Sequence, residues 1–195
     1  GLKGGHSGVD IAEQRGNAMQ ILARALEALA ELGDLRLASF EGGTAHNAIP
    51  RDAEATIWLE QTAAAKAEAK ASELDRSFKA EYATIDPKVT LGLAKAEGAD
   101  RAQATSAEVT RKVMDFIQTV PHGVFAMSAD IAGLVETSNN LAKIALGQGK
   151  VTALTSQRSS NMDRLEWLTT KVESVGRLSG GTAESGGGYP AWQPN

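Results

Sequence analysis

The sequence predicts an α+β domain, with four main helices on one face of antiparallel sheet of about seven to eight strands. Three observations lead there. Residues 17–33 repeat leucine at helical spacing, residues 53–59 alternate apolar and polar side chains, and residues 141–158 read as two strands turning on Gly147 and Gly149.

Each element follows from local chemistry. In 17–33, Leu22, Leu26, Leu29 and Leu32 form one stripe, with Asn17 placed to cap the start and Gly33 the end. LRLASF and AEATIWL then read as strands either side of the turn-rich EGGTAHNAIP, and Ala53, Ala55, Ile57 and Leu59 supply the half-buried face of the second. Residues 62–83 are rich in the helix formers Ala, Glu and Lys, with Leu74, Phe78 and Tyr82 on one side. After Pro87, KVTLGLAKA alternates at Val89, Leu91 and Leu93 and is expected to be a strand. A third helix is expected from a capping box at Thr105 and Glu108, burying Val109, Val113, Phe116, Ile117 and Val120 until Pro121 and Gly123 stop it. The stretch from Gly123 through Asp130 takes no assignment. The fourth helix, from Asn161 to Gly180, carries Leu165, Leu168, Val172 and Val175, and a short strand is expected near 181–186. Helix, hairpin, helix, strand thus occurs twice. This predicts two β-α-β-β-α-β-like repeats, approximately 1–98 and 99–195, related by element order and little by sequence.

Composition narrows the function. The chain has 195 residues, 42% of them hydrophobic, enough for a sizeable core. A net charge of -4 argues against a general nucleic-acid binder. No run of eighteen apolar residues is present to span a membrane, and no basic-then-apolar leader is seen. Without cysteine, disulfides and thiolate metal sites are excluded. A cytoplasmic location is the expectation. Gly1 and the closing SGGGYPAWQPN both read as cut ends, so the chain is expected to be a segment of something longer.

Common catalytic motifs fail on inspection. A nucleophile elbow needs G-x-S-x-G, but Ser7 is followed at once by Gly8. A phosphate loop needs Ser or Thr after Gly-Lys and then a helix, but Gly149-Lys150 leads into Val151 and a strand. His6, His46 and His122 are far apart and lack metal-ligand spacing, so no metal site is expected in this segment. Three places keep polar residues off ordinary faces: His6 in GLKGGHSG, Asn47 in HNAIPRDA, and Arg158 in TSQRSSN. Each also has a conformational account, since glycines let a strand end turn, asparagine favours turns, and an arginine can solvate a strand end.

Taken together, GLKGGHSGVDI (1–11), LRLASFEGGTAHNAIPRDAEATI (35–57), VETSNNLAKI (135–144) and GGYPAWQPN (187–195) resemble the lid, or dimerisation, domain of aminoacyl-histidine dipeptidases. These beta-alanyl-histidine (Xaa-His) dipeptidases belong to the dinuclear zinc exopeptidases. Residues 60–130 add almost no diagnostic motif. The resemblance implies a lid that closes over a separate catalytic domain, absent from this segment, which holds two zinc ions and a glutamate base. It implies that His6 polarises the scissile carbonyl, that Asn47 hydrogen-bonds substrate, and that Arg158 grips the substrate carboxylate, a pairing suited to guanidinium. Asn140 is a fourth candidate for substrate binding, although the family shows an aliphatic residue where Asn139 stands. Arg51 is an alternative cation, expected to orient the loop. The implied partners are the chain's own catalytic domain, a second copy in a homodimer, and an Xaa-His dipeptide, and the segment alone is expected to be inert. The competing reading is a non-catalytic α+β binding or oligomerisation module. Its sticky surfaces would be the Trp58 strand face and an exposed strand edge.

Overall fold

A computed structural model describes residues 1–98 and 104–187 of the chain. The helices are α1 (Ala18–Ala30), α2 (Ala64–Glu81), α3 (Ala107–Thr119) and α4 (Met162–Leu178). The strands are β1 (Gly5–His6), β2 (Arg36–Gly42), β3 (Ala48–Ile49), β4 (Ala53–Trp58), β5 (Gly123–Met127), β6 (Val135–Gly147) and β7 (Lys150–Ser159). All strand pairs are antiparallel, and they form one five-stranded sheet and a separate two-stranded ribbon, β1 with β3. The α+β architecture is therefore as the sequence predicts.

The long strand β6 organises the sheet. β7 pairs with one edge from Thr137 to Gly147. The other edge is shared in tandem by β5, opposite 135–139, and β2, opposite 144–146. At Leu141, between the two, side chains replace strand partners. The Leu141 N–H donates to His122 Nδ1 (3.2 Å), and its carbonyl accepts from Asn17 Nδ2 (2.9 Å). The same Asn17 caps α1, its Oδ1 accepting from the Met19 N–H at 3.0 Å. Burial pushes the His122 imidazole down to about 4, so it stays neutral and can accept that bond.

The helices lie side by side in the order α2, α1, α3, α4. Their apolar stripes meet the sheet in one core built on Met19, Leu26, Leu37, Phe40, Met114, Ile117, Leu141 and Ile144. A smaller cluster of Leu2, Ile21, Ala25, Phe78 and Val89 fills the space between α1, α2 and the chain start.

Four local expectations change. Residues 88–96 are not a strand. Val89 and Leu91 do pack inward, but against α1 and α2, and the Leu91 N–H goes to Asp75 Oδ1 on α2 (2.9 Å). Extended chain laid over a helix shows the same period of two as a strand. Residues 181–186 are not a strand either. The cap of α3 is Ser106, whose Oγ accepts from Val109 N, while Thr105 Oγ1 donates to the Leu37 carbonyl and Val109 is exposed. The unassigned stretch after Gly123 is β5. The repeat boundary at 98/99 and most of the GGYPAWQPN motif lie outside the described residues.

Candidate functional site

Side chains along a strand alternate between its two faces. On β6, Leu141, Ile144 and Leu146 face the helices. Leu141 and Ile144 share that face because of a β-bulge. Leu141 opposes Thr155 and Lys143 opposes Leu154, so Ala142 is the extra residue and reverses the alternation. Gly43, just past β2, accommodates the bulge. Its φ is +76°, and a Cβ there would lie 1.9 Å from the Ala142 carbonyl oxygen.

The alternation separates the two adjacent asparagines. Asn139 faces the helices, donating to the Pro121 carbonyl and accepting from Gln157 Nε2 at 2.8 Å. Ser138 and Asn140 face the other way. Arg158 lies directly opposite Ser138 on β7, and cross-strand partners share a face, so Arg158 points to that side as well.

The β1–β3 ribbon lies over this outer face. His6 pairs with Ala48, and the Ser7 N–H donates to the Asn47 carbonyl at 2.8 Å. The amide of Asn140 donates to the carbonyls of His46 (3.2 Å) and Ala48 (2.8 Å). The glycines of the opening stretch are required at close approaches. Gly4 has φ +62°, and a Cβ there would sit 2.2 Å from Arg51 Cγ. A Cβ on Gly5 would meet Arg15 Nη1 at 2.4 Å and Asp10 Oδ2 at 2.6 Å.

Gly8 is where the candidates meet. A Cβ at Gly8 would stand 3.1 Å from His6 Cε1 and 3.2 Å from Arg158 Nη1. The imidazole and the guanidinium therefore flank one small space, and both residues are exposed. The Gly8 N–H donates to His6 Nδ1 at 3.2 Å. A ring nitrogen that accepts carries no proton, so in the neutral ring the proton is assigned to Nε2, which is left to donate outward. Behind the ring, Asp10 Oδ2 accepts from the His6 N–H at 2.7 Å. Arg15 holds Asp10 Oδ1 (3.1 Å), Glu13 Oε2 (2.7 Å) and the Gly4 carbonyl. Its hydrogen bond to Glu13 raises the Arg15 pKa further, so it is a permanent cation.

Arg158 and the side chain of half-buried Asn47 make no hydrogen bond or ion pair among the described residues. Both are thus available to a ligand. Asn140 is only 1% exposed and sits beneath the 46–48 loop. The structure thus brings His6, Asn47, Arg158 and Asn140 to one side of the sheet. Arg51 packs its aliphatic stem against Gly4. Sequence reasoning did not single out Asp10 and Arg15 as supports of His6, nor Gly8 as the point of convergence. The proximity of Asp10 and Arg15 to GGHSG in sequence was the available signal.

Among the described residues, no three His, Asp or Glu side chains gather so as to hold a metal ion. The donor set fits no zinc centre, and what it offers is hydrogen-bond donors and one cation. Nor is any described helix long and apolar enough to cross a membrane.

Comparison with known proteins agrees with this architecture. Residues 1–86 match the family model of the peptidase dimerisation domain. The whole chain is 34% identical to a cytosol non-specific dipeptidase of Escherichia coli (strain K12), and spans 40% of that protein's length. It superposes on the crystal structure of an aminoacylhistidine dipeptidase from Vibrio alginolyticus with a TM-score of 0.94 and 34% identity, covering 100% of this chain and 39% of that one. Residues 1–86 thus resemble the peptidase dimerisation domain, and over its full length the chain is similar in sequence and fold to a segment of two dipeptidases.

Proposed function

We propose that this chain is the substrate-binding lid of a zinc-dependent dipeptidase that hydrolyses Xaa-His dipeptides. The observation that carries the proposal is the meeting of His6 and Arg158 at Gly8, beside Asn47 and within a single chain. Hydrolysis of a peptide builds negative charge on the carbonyl oxygen. His6, with Nε2–H as its free donor, is suited to meet that charge, a contribution of about 3 kcal/mol when such a donor is well aimed. Arg158 is suited to pair with the free carboxylate of a dipeptide in bidentate fashion, and Asn47 to hydrogen-bond the substrate beside it. The two zinc ions would be held by a catalytic domain formed by sequence outside this segment. They would supply Lewis-acid chemistry, while the lid supplies binding and orientation. The lid spans 1–195, built from halves dividing near residue 98, and forms a homodimer in the cytoplasm. Both relatives are dipeptidases, which supports dipeptide hydrolysis. The narrower preference for histidine rests on the aminoacylhistidine enzyme alone.

The test uses the full-length enzyme. His6→Ala is expected to lower turnover by roughly 100-fold with zinc content unchanged, as for removal of one oxyanion donor. Unchanged turnover removes His6 from the mechanism, and peptide hydrolysis by the isolated 195-residue segment overturns the lid reading altogether.

A further inference from the structure

A ribbon of two residues per strand does not hold its own shape in water. β1 and β3 are that short, yet they carry His6 and flank Asn47. Asp10 and Arg15 brace β1 from behind, and what ties the ribbon to the sheet below is an amide of β6. Asn140 Nδ2 spends both of its hydrogens on the carbonyls of His46 and Ala48, one on either side of Asn47. Ala48 is also the register partner of His6, and the Asn47 carbonyl takes the Ser7 N–H.

We propose that Asn140 is a positioning residue: it sets the orientation of Asn47 directly and that of His6 across the β1–β3 pairing. The inference rests on the reading of His6 and Asn47 as substrate-binding groups given above. Asn140 is 1% exposed and has no donor left over, so it does not reach substrate itself. Its Oδ1 is buried without a partner. A buried carbonyl oxygen in that state is unfavourable, so the amide is not there to complete a satisfied polar network. Its contribution lies in the two donors, and those act only on the loop. Arg158 sits on β7, outside this linkage, and keeps its place when Asn140 is changed.

The experiment is a set of variants in the full-length enzyme. Asn140→Asp preserves shape but sets a carboxylate oxygen against two carbonyl oxygens, and Asn140→Ser replaces the two amide donors with one hydroxyl on a shorter side chain, without adding charge. Both are expected to lower kcat about tenfold or more, with KM changed by no more than about threefold, because misplaced catalytic groups cost turnover while the Arg158 contact persists. Amide hydrogen exchange at Ser7 is expected to quicken while core amides are unchanged. In a background already carrying His6→Ala and Asn47→Ala, Asn140→Ser is expected to add no more than about a twofold loss. Losses that multiply in that background overturn the positioning role and leave the reading of His6 intact. So does an equal kcat loss from Asn139→Asp, which would show general loosening. If His6→Ala and Asn47→Ala together cost nothing, the underlying reading falls and this one with it.

Discussion

The two faces of β6 are built on opposite rules. The helix-facing side is sealed along its length and apolar from Leu141 onward, with Phe40, Leu141, Ile144 and Ile117 at 0% exposure. The outer side near its first half is polar, and its cover is a short ribbon held by an asparagine and by glycines that leave room for neighbouring side chains. One face keeps the domain folded. The other presents polar groups whose bonding capacity is unspent among the described residues, as with Arg158 and Asn47. The difference shows how a domain of ordinary stability can carry a site made of loosely covered polar residues, since the burial that holds it together lies one strand thickness away.

This comparison can be broken at three points. The largest effect is expected on the sealed face. Phe40→Ala removes a fully buried ring from the centre of the core and should cost roughly 3–5 kcal/mol in denaturant unfolding of the segment. A loss under about 1 kcal/mol would mean that the inner face is not where stability resides.

The next effect is expected at the seam between the faces. His122 is neutral when folded, with its pKa at about 4 rather than the ordinary 6.5, so the unfolded chain binds the extra proton first. Its contribution is fully present above the unfolded value and is lost as pH falls from about 6.5 towards 4, reaching on the order of 3 kcal/mol. Unfolding free energy measured against pH should slope downward in that window and flatten in His122→Gln. The carboxylates lowered by their cation partners, Glu27, Glu81 and Glu108, add their own losses as pH falls through the ordinary carboxylate value of 4.5 and below it.

The smallest effect on folding is expected on the outer face. In Gly8→Ala the new methyl presses on His6 and Arg158, both exposed and able to give way, so stability should change by less than about 0.5 kcal/mol. Yet the space between the two is what the proposed function uses, so the full-length enzyme should lose roughly tenfold or more in kcat/KM. A stability loss with unchanged kinetics would reverse the assignment of the two faces.

Much of this plan was legible in the residues. Leucine spacing in α1, Asn17 and Asn161 as caps, and the hairpin about Gly147 and Gly149 all depend on neighbours in sequence, and all are found. The α+β class followed from them. What was not legible depends on distant partners. Val89 and Leu91 alternate as a strand would, and only the position of Asp75 on α2 shows that their backbone is otherwise engaged. The β1 and β3 segments are too short for any periodicity. In the site, His6, Asn47 and Arg158 drew notice as polar residues in glycine-rich or strand-end settings, but those settings have ordinary conformational uses, and it was the family resemblance that gave the three their expected roles. The meeting of His6 and Arg158 at Gly8 is a product of the β6–β7 register and the ribbon above it. Asn139 and Asn140 could not be told apart by chemistry. Their roles differ because adjacent strand residues point to opposite sides.

The bulge at Ala142 constrains how this chain can change in length. Upstream of it, even-numbered residues of β6 look outward; downstream, they look inward. Removing that single amino acid would leave a regular ladder in which Leu141 and Ile144 still face the helices and Lys143 still faces out. Adding or removing one residue elsewhere along β6 would instead turn part of the strand over, setting Lys143 where Ile144 packs or swinging Asn140 away from the ribbon. Insertions or deletions at the Gly147–Gly149 tip carry no such penalty. Among homologues, gaps should therefore gather at the hairpin tip or at position 142 and avoid the rest of β6, and a related sequence lacking residue 142 should no longer need glycine at the position of Gly43.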